Sequence, residues 1–258
     1  MSSRAALPFA VLASSLAHAG HVLVVSHDAG APYATIQAAI DAAAPGDLVL
    51  VKGGAFGGFA VDGKGVDVVA DSLTVPGSVT SQVRVANIPL GQRCLLSGLN
   101  LNGDAAIGPT GAAVVVAHCD GAVRIDRCTA LAWRTPGPLA CGSIAPKSGW
   151  PAIAVLDCPN VALRDCALTG GDGQSWSGDA SGYPGCGALE AGVAGGVGLF
   201  VHTSAVALGG CALRGGPGGA GPLGGTGGEG LRAIESEVYV ALSNLWGASG
   251  GEHVAAAR

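Results

Sequence analysis

Charge is scarce in this chain. Asp, Glu, Lys and Arg make up 12% of the 258 residues, and the formal net charge is −5. That balance argues against a basic nucleic-acid-binding face. Aromatic residues reach only 4%, and much of the 49% hydrophobic content is alanine. A core built from such residues is narrow and lined by small or aliphatic side chains. No run of about 18 uninterrupted apolar residues appears after the N-terminal segment, so no later segment reads as a membrane span. The eight cysteines contain no Cys-x-x-Cys pair, which leaves a zinc ribbon or thioredoxin-type site without support. Glycine is abundant instead, at 45 residues, together with 14 prolines. So many turn residues argue against a compact helical bundle.

The first 19 residues read as a signal peptide. Arg4 gives a positive start, Ala5 to Leu16 is mostly apolar, and Ala17-His18-Ala19 has the small-x-small pattern of a cleavage site. The expected mature chain is a single domain over 20–258, secreted to the extracellular space or cell surface, with the periplasm also compatible. An oxidising compartment of that kind permits disulfides.

A weak repeat runs through the chain. "VRIDRC" at 123–128, "VALRDC" at 161–166, "VALGGC" at 206–211 and "VALSNL" at 240–245 share a spacing, and "CLLSGL" at 94–99 is an earlier copy. Val and the aliphatic residue two later fall on one face, as a strand requires. The following step of three predicts a tight bend. Upstream of the later copies lie further alternating pairs: Val114/Val116, Ile153/Val155, Leu199/Val201 and Leu231/Ile234. Each unit is therefore three short strands separated by bends, with loops of unequal length inserted between units. One unit cannot bury its apolar face alone, but stacked units can. The predicted fold is all-β: a right-handed parallel β-helix, or solenoid.

A solenoid leaves a raw apolar end. "YATIQAAIDAAAPGDLVLVKGG" at 33–54 supplies a short helix to cover it. Thr35 is the expected N-cap, Ile36, Ala39, Ile40 and Ala43 form the apolar stripe, and Pro45-Gly46-Asp47 ends the helix. The helical cap is expected over about 35–44.

"TIQAAIDAAAPGDLVLV…FAVDGKGVDVVAD" resembles the opening of secreted bacterial right-handed β-helix proteins of the pectin-lyase-like superfamily. "ALTGGDG" and "ALRGGPGG" resemble the glycine-rich loops of a group in it without assigned activity. The resemblance implies a β-helix fold. It implies little about function, since the superfamily hosts lyases, hydrolases, adhesins and uncharacterised surface proteins.

Catalytic signatures are thin. The superfamily's pectin-cleaving hydrolases carry Asn-Thr-Asp, Gly-Asp-Asp and His-Gly signatures, and this sequence has none of them. The best charged cluster is Asp126-Arg127 with Arg164-Asp165 in the next unit. Stacking sets Asp126 over Arg164 and Arg127 over Asp165, which reads as two register-fixing ion pairs or as a catalytic arginine with acidic partners. Asp172 and Asp179, among glycines and hydroxyls at 170–182, are candidate calcium ligands; no other cofactor is implied. Trp133, Trp150, Trp176 and Tyr183 fall in the inserted loops, where they can stack on sugar rings or cover a local core. The glycine-rich stretches 192–198 and 215–230 read as flexible loops folded against the solenoid. Two functions follow. The first is a noncatalytic secreted or surface protein with a structural or carbohydrate-binding role, its partner an extracellular or cell-surface polysaccharide. The second is a polysaccharide lyase or glycoside hydrolase with a divergent site.

Cys128, Cys166 and Cys211 share one inward position and are expected as a column of free, buried thiols. Cys119 and Cys158 form a second aligned pair whose state the sequence leaves open. Cys141 and Cys186, outside the repeat register, are the expected disulfide. At the C-terminal end no helix covers the last unit. Three readings follow: Trp246 folds over the end as a plug, giving a monomer; two chains pack end to end; or the chain is cut from a longer parent. The plug reading comes first.

Overall fold

From the strand Val83–Ala86 onward, the chain turns twice in each coil at residues with left-handed backbone. One column of such residues is Asn87, His118, Asp157, Thr203 and Glu235, with φ between 48° and 54°. The other is Gly98, Arg127, Asp165, Gly210 and Leu242, with φ between 50° and 70°. A non-glycine residue rarely adopts this conformation alone, and here the stacked neighbours hold it. The structure, a computed structural model, describes residues 20–71, 77–103, 111–133, 148–175, 193–220 and 224–250. Residues 1–19, where the sequence predicts a signal peptide, and residues 251–258 lie outside them.

The residue after each left-handed position accounts for five of the cysteines, Cys119, Cys128, Cys158, Cys166 and Cys211. Its side chain accepts a hydrogen bond from the backbone N–H at the same place in the preceding coil. The Cys119 N–H donates to Cys158 Sγ at 3.4 Å and the Cys158 N–H to Ser204 Oγ at 3.0 Å. In the same way the Ser204 N–H donates to Ser236 Oγ at 3.1 Å, and the Cys211 N–H to Ser243 Oγ at 3.0 Å. A bend leaves that N–H outside the strand ladders, and a buried N–H needs a partner. A small side chain with an acceptor atom supplies it.

Between the bends the strands stack in parallel into three sheets. An eight-stranded sheet runs from Val22–Val25 to Glu237–Ala241, a seven-stranded sheet from Gly54–Phe56 to Asn244–Trp246, and a six-stranded sheet from Phe59–Asp62 to Leu231–Ile234. Every pairing is parallel and in register. This is the all-β parallel β-helix expected from the repeat. The core is the interior of the solenoid, where inward side chains form columns. One such column is Val49, Val68, Leu96, Ile125, Leu163, Leu208 and Val240. No helix among the described residues is long and apolar enough to cross a membrane.

The first coil carries the helix Ile36–Ala42. Thr35 caps it, its Oγ1 accepting from the Ala38 N–H at 3.2 Å. Ile36, Ala39 and Ile40 are buried against the strands Val22–Val25, Leu48–Val51 and Phe59–Asp62. Just beyond, the buried Asp47 carboxylate accepts from the N–H of His21 at 2.7 Å and of Ala44 at 2.8 Å. Those two bonds hold it below the usual carboxylate range.

The last coil corrects the sequence register. Val240 pairs with Leu208, not with Val206, and Leu245 pairs with Leu213, not with Cys211. The true counterpart of "VALGGC" is 238–243, "VYVALS", with Ser243 in the cysteine place. Upstream, Ala233 rather than Ile234 faces Val201. A shift of two residues keeps every side chain on its own face, so alternation alone cannot detect it. Leu242, left-handed at 51° and level with Gly210 at 66°, sets the register.

The glycine-rich stretches are not loose loops where the structure describes them. They form a hydrogen-bonded layer beside the seven-stranded sheet. The N–H of Gly171 donates to Trp150 O at 2.8 Å, Gly196 to Gly171 O at 2.7 Å, Gly216 to Gly196 O at 2.7 Å, Gly228 to Gly216 O at 2.8 Å and Ala248 to Gly228 O at 2.9 Å. The backbones approach too closely for side chains. A methyl on Gly196 would overlap the Trp150 carbonyl, and one on Gly216 the Gly171 carbonyl. Glycine is required here for contact distance.

Candidate binding face on the seven-stranded sheet

From Asn100–Asn102 onward, each strand of the seven-stranded sheet has three residues, and the middle one points inward. Leu101, Ala130, Leu168 and Leu213 are buried in this way. The flanking residues therefore point out. They form two outer columns. Asn100, Thr129, Ala167, Ala212 and Asn244 make one; Asn102, Leu131, Thr169, Arg214 and Trp246 make the other. Successive side chains in a column stand about 4.8 Å apart. The face offers amides, hydroxyls, one guanidinium and one indole, with no carboxylate in either column.

A cavity of about 420 Å³ opens between this face and the glycine layer. Leu131, Thr169 and Arg214 come from the sheet; Asp172, Pro217 and Ser249 come from the layer. The volume lies in the usual range for small-molecule clefts, about 300–1,000 Å³. Arg214 is exposed and sits beside the half-exposed Trp246 in the adjacent strand. Donors and a carboxylate thus line one opening, and a flat aromatic ring stands on the strand next to Arg214. Such a set can hold a polyhydroxylated ligand by hydrogen bonds and ring contact.

The residues singled out in the sequence fall elsewhere, with one exception. Asp172 lines the cavity. Asp179, Trp176 and Tyr183 lie outside the described residues, as do Cys141 and Cys186. Trp133 and Trp150 are half-buried. Trp150 packs against the core and over Gly111, and the Trp133 indole N–H is buried with no hydrogen-bond partner among the described residues.

Asp126 does stand in register with Arg164 on the outer face of the eight-stranded sheet. It does not pair with it. Arg124, two residues back on the same strand, holds Asp126 at 2.7 Å. Arg127 donates to Ser97 Oγ at 3.2 Å, not to Asp165. The expected pair of inter-coil ion pairs is therefore replaced by an intra-strand pair and a bond to the preceding coil. Arg124 is the nearer cation, because i and i+2 share a strand face. His118 and Asp157 form a surface pair at 3.2 Å on the first column of bends.

Cys94, Cys119, Cys128, Cys158, Cys166 and Cys211 are free and buried. This matches the expected thiol column and settles Cys119 and Cys158 as unbonded. Burial pushes the Cys128 thiol up to about 12 and raises that of Cys94. The adjacent Cys211 thiol, together with burial, raises Cys166. Cys211 is lowered in turn by its hydrogen bond with Cys166, and Cys119 by its hydrogen bond with Cys158. In the fold all six are buried packing and hydrogen-bonding groups.

Sequence reasoning missed Thr169, Arg214 and the Asn100/Asn102 pair. A signal was present: the residues on either side of each inward position two past the cysteine must face out.

No protein-family model and no curated protein matches the chain. Among solved structures it is similar to the crystal structure of pectate lyase Pel9A, with 13% identity over 87% of this chain and 78% of that chain and a TM-score of 0.31. The fold assignment rests on the three parallel sheets themselves.

Proposed function

We propose that this protein is a noncatalytic, secreted or surface β-helix that binds polysaccharide along the outer face of the seven-stranded sheet. The observation that carries the reading is the cavity lined by Leu131, Thr169 and Arg214 of one outer column, on a face that also carries Asn100, Asn102, Thr129 and Asn244. A repeating ligand suits a face whose outward positions recur at a constant spacing, with amides at Asn100, Asn102 and Asn244, hydroxyls at Thr129 and Thr169 and a guanidinium at Arg214. Trp246 adds a ring surface beside Arg214.

The same geometry favours binding over hydrolysis. Glycoside hydrolysis uses two carboxyl groups across one bond. Among the described residues the cavity offers one, Asp172. The test is a glycan array of neutral and acidic polysaccharides, followed by calorimetry on any ligand found. Arg214→Ala and Thr169→Ala should each weaken binding about tenfold or more, as expected for a lost hydrogen bond to a charged or positioned group. Parallel incubations with and without calcium should release neither reducing ends nor unsaturated products. Turnover would overturn the noncatalytic reading, and binding unchanged by both substitutions would move the site off this face.

A further inference from the structure

The last coil, residues 231–246, is an open cross-section of the solenoid. Its inward columns lose their cover. Ile125, Leu163 and Leu208 are 0%, 0% and 2% exposed, whereas Val240, next in that column, is 46% exposed. Leu213 is 0% exposed and Leu245 below it 41%. Three strand edges, Leu231–Ile234, Glu237–Ala241 and Asn244–Trp246, run around this apolar patch with no further strand beside them among the described residues. Proteins usually blunt such edges with proline, lysine or inward charges. Residues 231–246 contain neither proline nor lysine, and the inward positions Leu231, Ala233, Val238, Val240 and Leu245 are all apolar.

We propose that this end is a self-association surface, and that its occupant is the same end of a second copy of the chain. A complement must present three strand edges around an apolar centre, which another last coil does. The opposite end does not fit, because the helix Ile36–Ala42 packs there with Ile36, Ala39 and Ile40 already buried. Head-to-tail stacking would have to displace it. A two-fold contact instead closes both open ends and stops.

The pairing is specific enough to test. A two-fold axis beside Tyr239 sets the two Glu237–Ala241 strands antiparallel. Residues equidistant from Tyr239 then oppose each other. The inward Val238 meets the partner's Val240, apolar against apolar. The outward Glu237 meets the partner's Ala241, so no like charges face each other. Tyr239, 65% exposed in one chain, meets its own copy. The strand Leu231–Ile234 meets the partner's Asn244–Trp246, again with inward residues against inward ones.

Sedimentation equilibrium of the mature chain should return twice the chain mass at micromolar concentration. Tyr239→Cys, oxidised, should give a disulfide-linked dimer, since directly opposed antiparallel residues lie about 4.5–5.5 Å apart, within disulfide reach. Glu237→Cys should not, because it opposes a different residue. Tyr239→Arg, a change at an exposed side chain, should place two arginines face to face and leave a folded monomer by circular dichroism. A monomer at all concentrations, open-ended filaments, or equal cross-linking at 237 and 239 would overturn the proposal.

Discussion

At the N-terminal end of the solenoid, Ile36 and Ile40 are each 1% exposed and lie against the first strands. At the other end, inward side chains of the same kind stand almost half exposed. The inward columns run through both ends, as Val49 to Val240 shows. The difference shows that closure is not a property of the coil. A coil buries its inward residues only when something lies on both sides of it, and the sequence supplies a helix at one end only among the described residues. Burial of a Val or Leu side chain is worth about 1.5–3 kcal/mol, so the two ends differ in local stability.

Four experiments break or sharpen that contrast. The largest effect is expected at the covered end. Ile40→Ala should cost about 2–5 kcal/mol in chemical unfolding, as for other buried aliphatic truncations. The matched change at the open end, Val240→Ala, should cost about 1 kcal/mol or less in dilute solution, since half the side chain already meets water. Equal costs would mean that the two ends are equally closed.

Gly196→Ala comes next. A methyl there would strike a carbonyl of the glycine layer, and overpacking of that kind costs about 1–3 kcal/mol. Gly57→Ala, where nothing lies within 4 Å, is the control and should be near neutral. The comparison asks whether the layer is integral to the solenoid or merely attached. A Gly196→Ala protein as stable as the control would sink the close-packed description.

The thiol column gives a pH test. Cys128, ordinarily near 9.0, is raised to about 12 in the folded chain. An unfolded thiol ionises first as pH rises, so its protons are lost from the unfolded state and folding is opposed. The stability tied to the Cys128 thiol is complete below about pH 9 and declines toward pH 12. Thiol labelling of native protein should be slow for all six described cysteines until the chain unfolds. Replacing Cys128 by Ser should flatten the alkaline loss. In the open coil the matching residue, Ser243, does not ionise there and makes no such contribution.

The smallest effect is expected at Trp246. A plug at Trp246, as the sequence predicts, would make its removal cost about 3 kcal/mol. In the fold it is a strand residue paired with Arg214 and 48% exposed, and it does not cover the end. Its side chain points out because it follows the inward Leu245. Trp246→Ala should therefore change stability by about 1 kcal/mol or less, as at other partly exposed sites, while weakening any glycan bound near Arg214. A loss near 3 kcal/mol would restore the plug.

Much of this architecture is legible in the residues. The spacing of Val123, Ile125 and Cys128 encodes two inward positions and a bend, and the pattern recurs at Val161, Leu163 and Cys166. Both copies occupy the columns that spacing implies. Thr35 capping a helix with Ile36 and Ile40 buried is equally local. The candidate binding face was legible only in part. Asp172 stood out for its carboxylate, but Thr169 and Arg214 became neighbours through pairing of Ala167–Thr169 with Ala212–Arg214. Nothing in either segment names the other.

By itself, then, the sequence determined the strand period, the bends, the free thiol column and the helix, because each follows from side-chain alternation or capping within a few residues. The tertiary structure alone decided the register of the last coil, the partner of Asp126, the ordering of the glycine stretches into a layer, and the cavity between that layer and the sheet. Those depend on backbone groups brought together from distant coils. A two-residue slip preserves every inward and outward assignment, and a run of glycines carries no side-chain pattern at all. Only the hydrogen bonds between stacked coils distinguish the arrangement adopted from the others the same residues would allow.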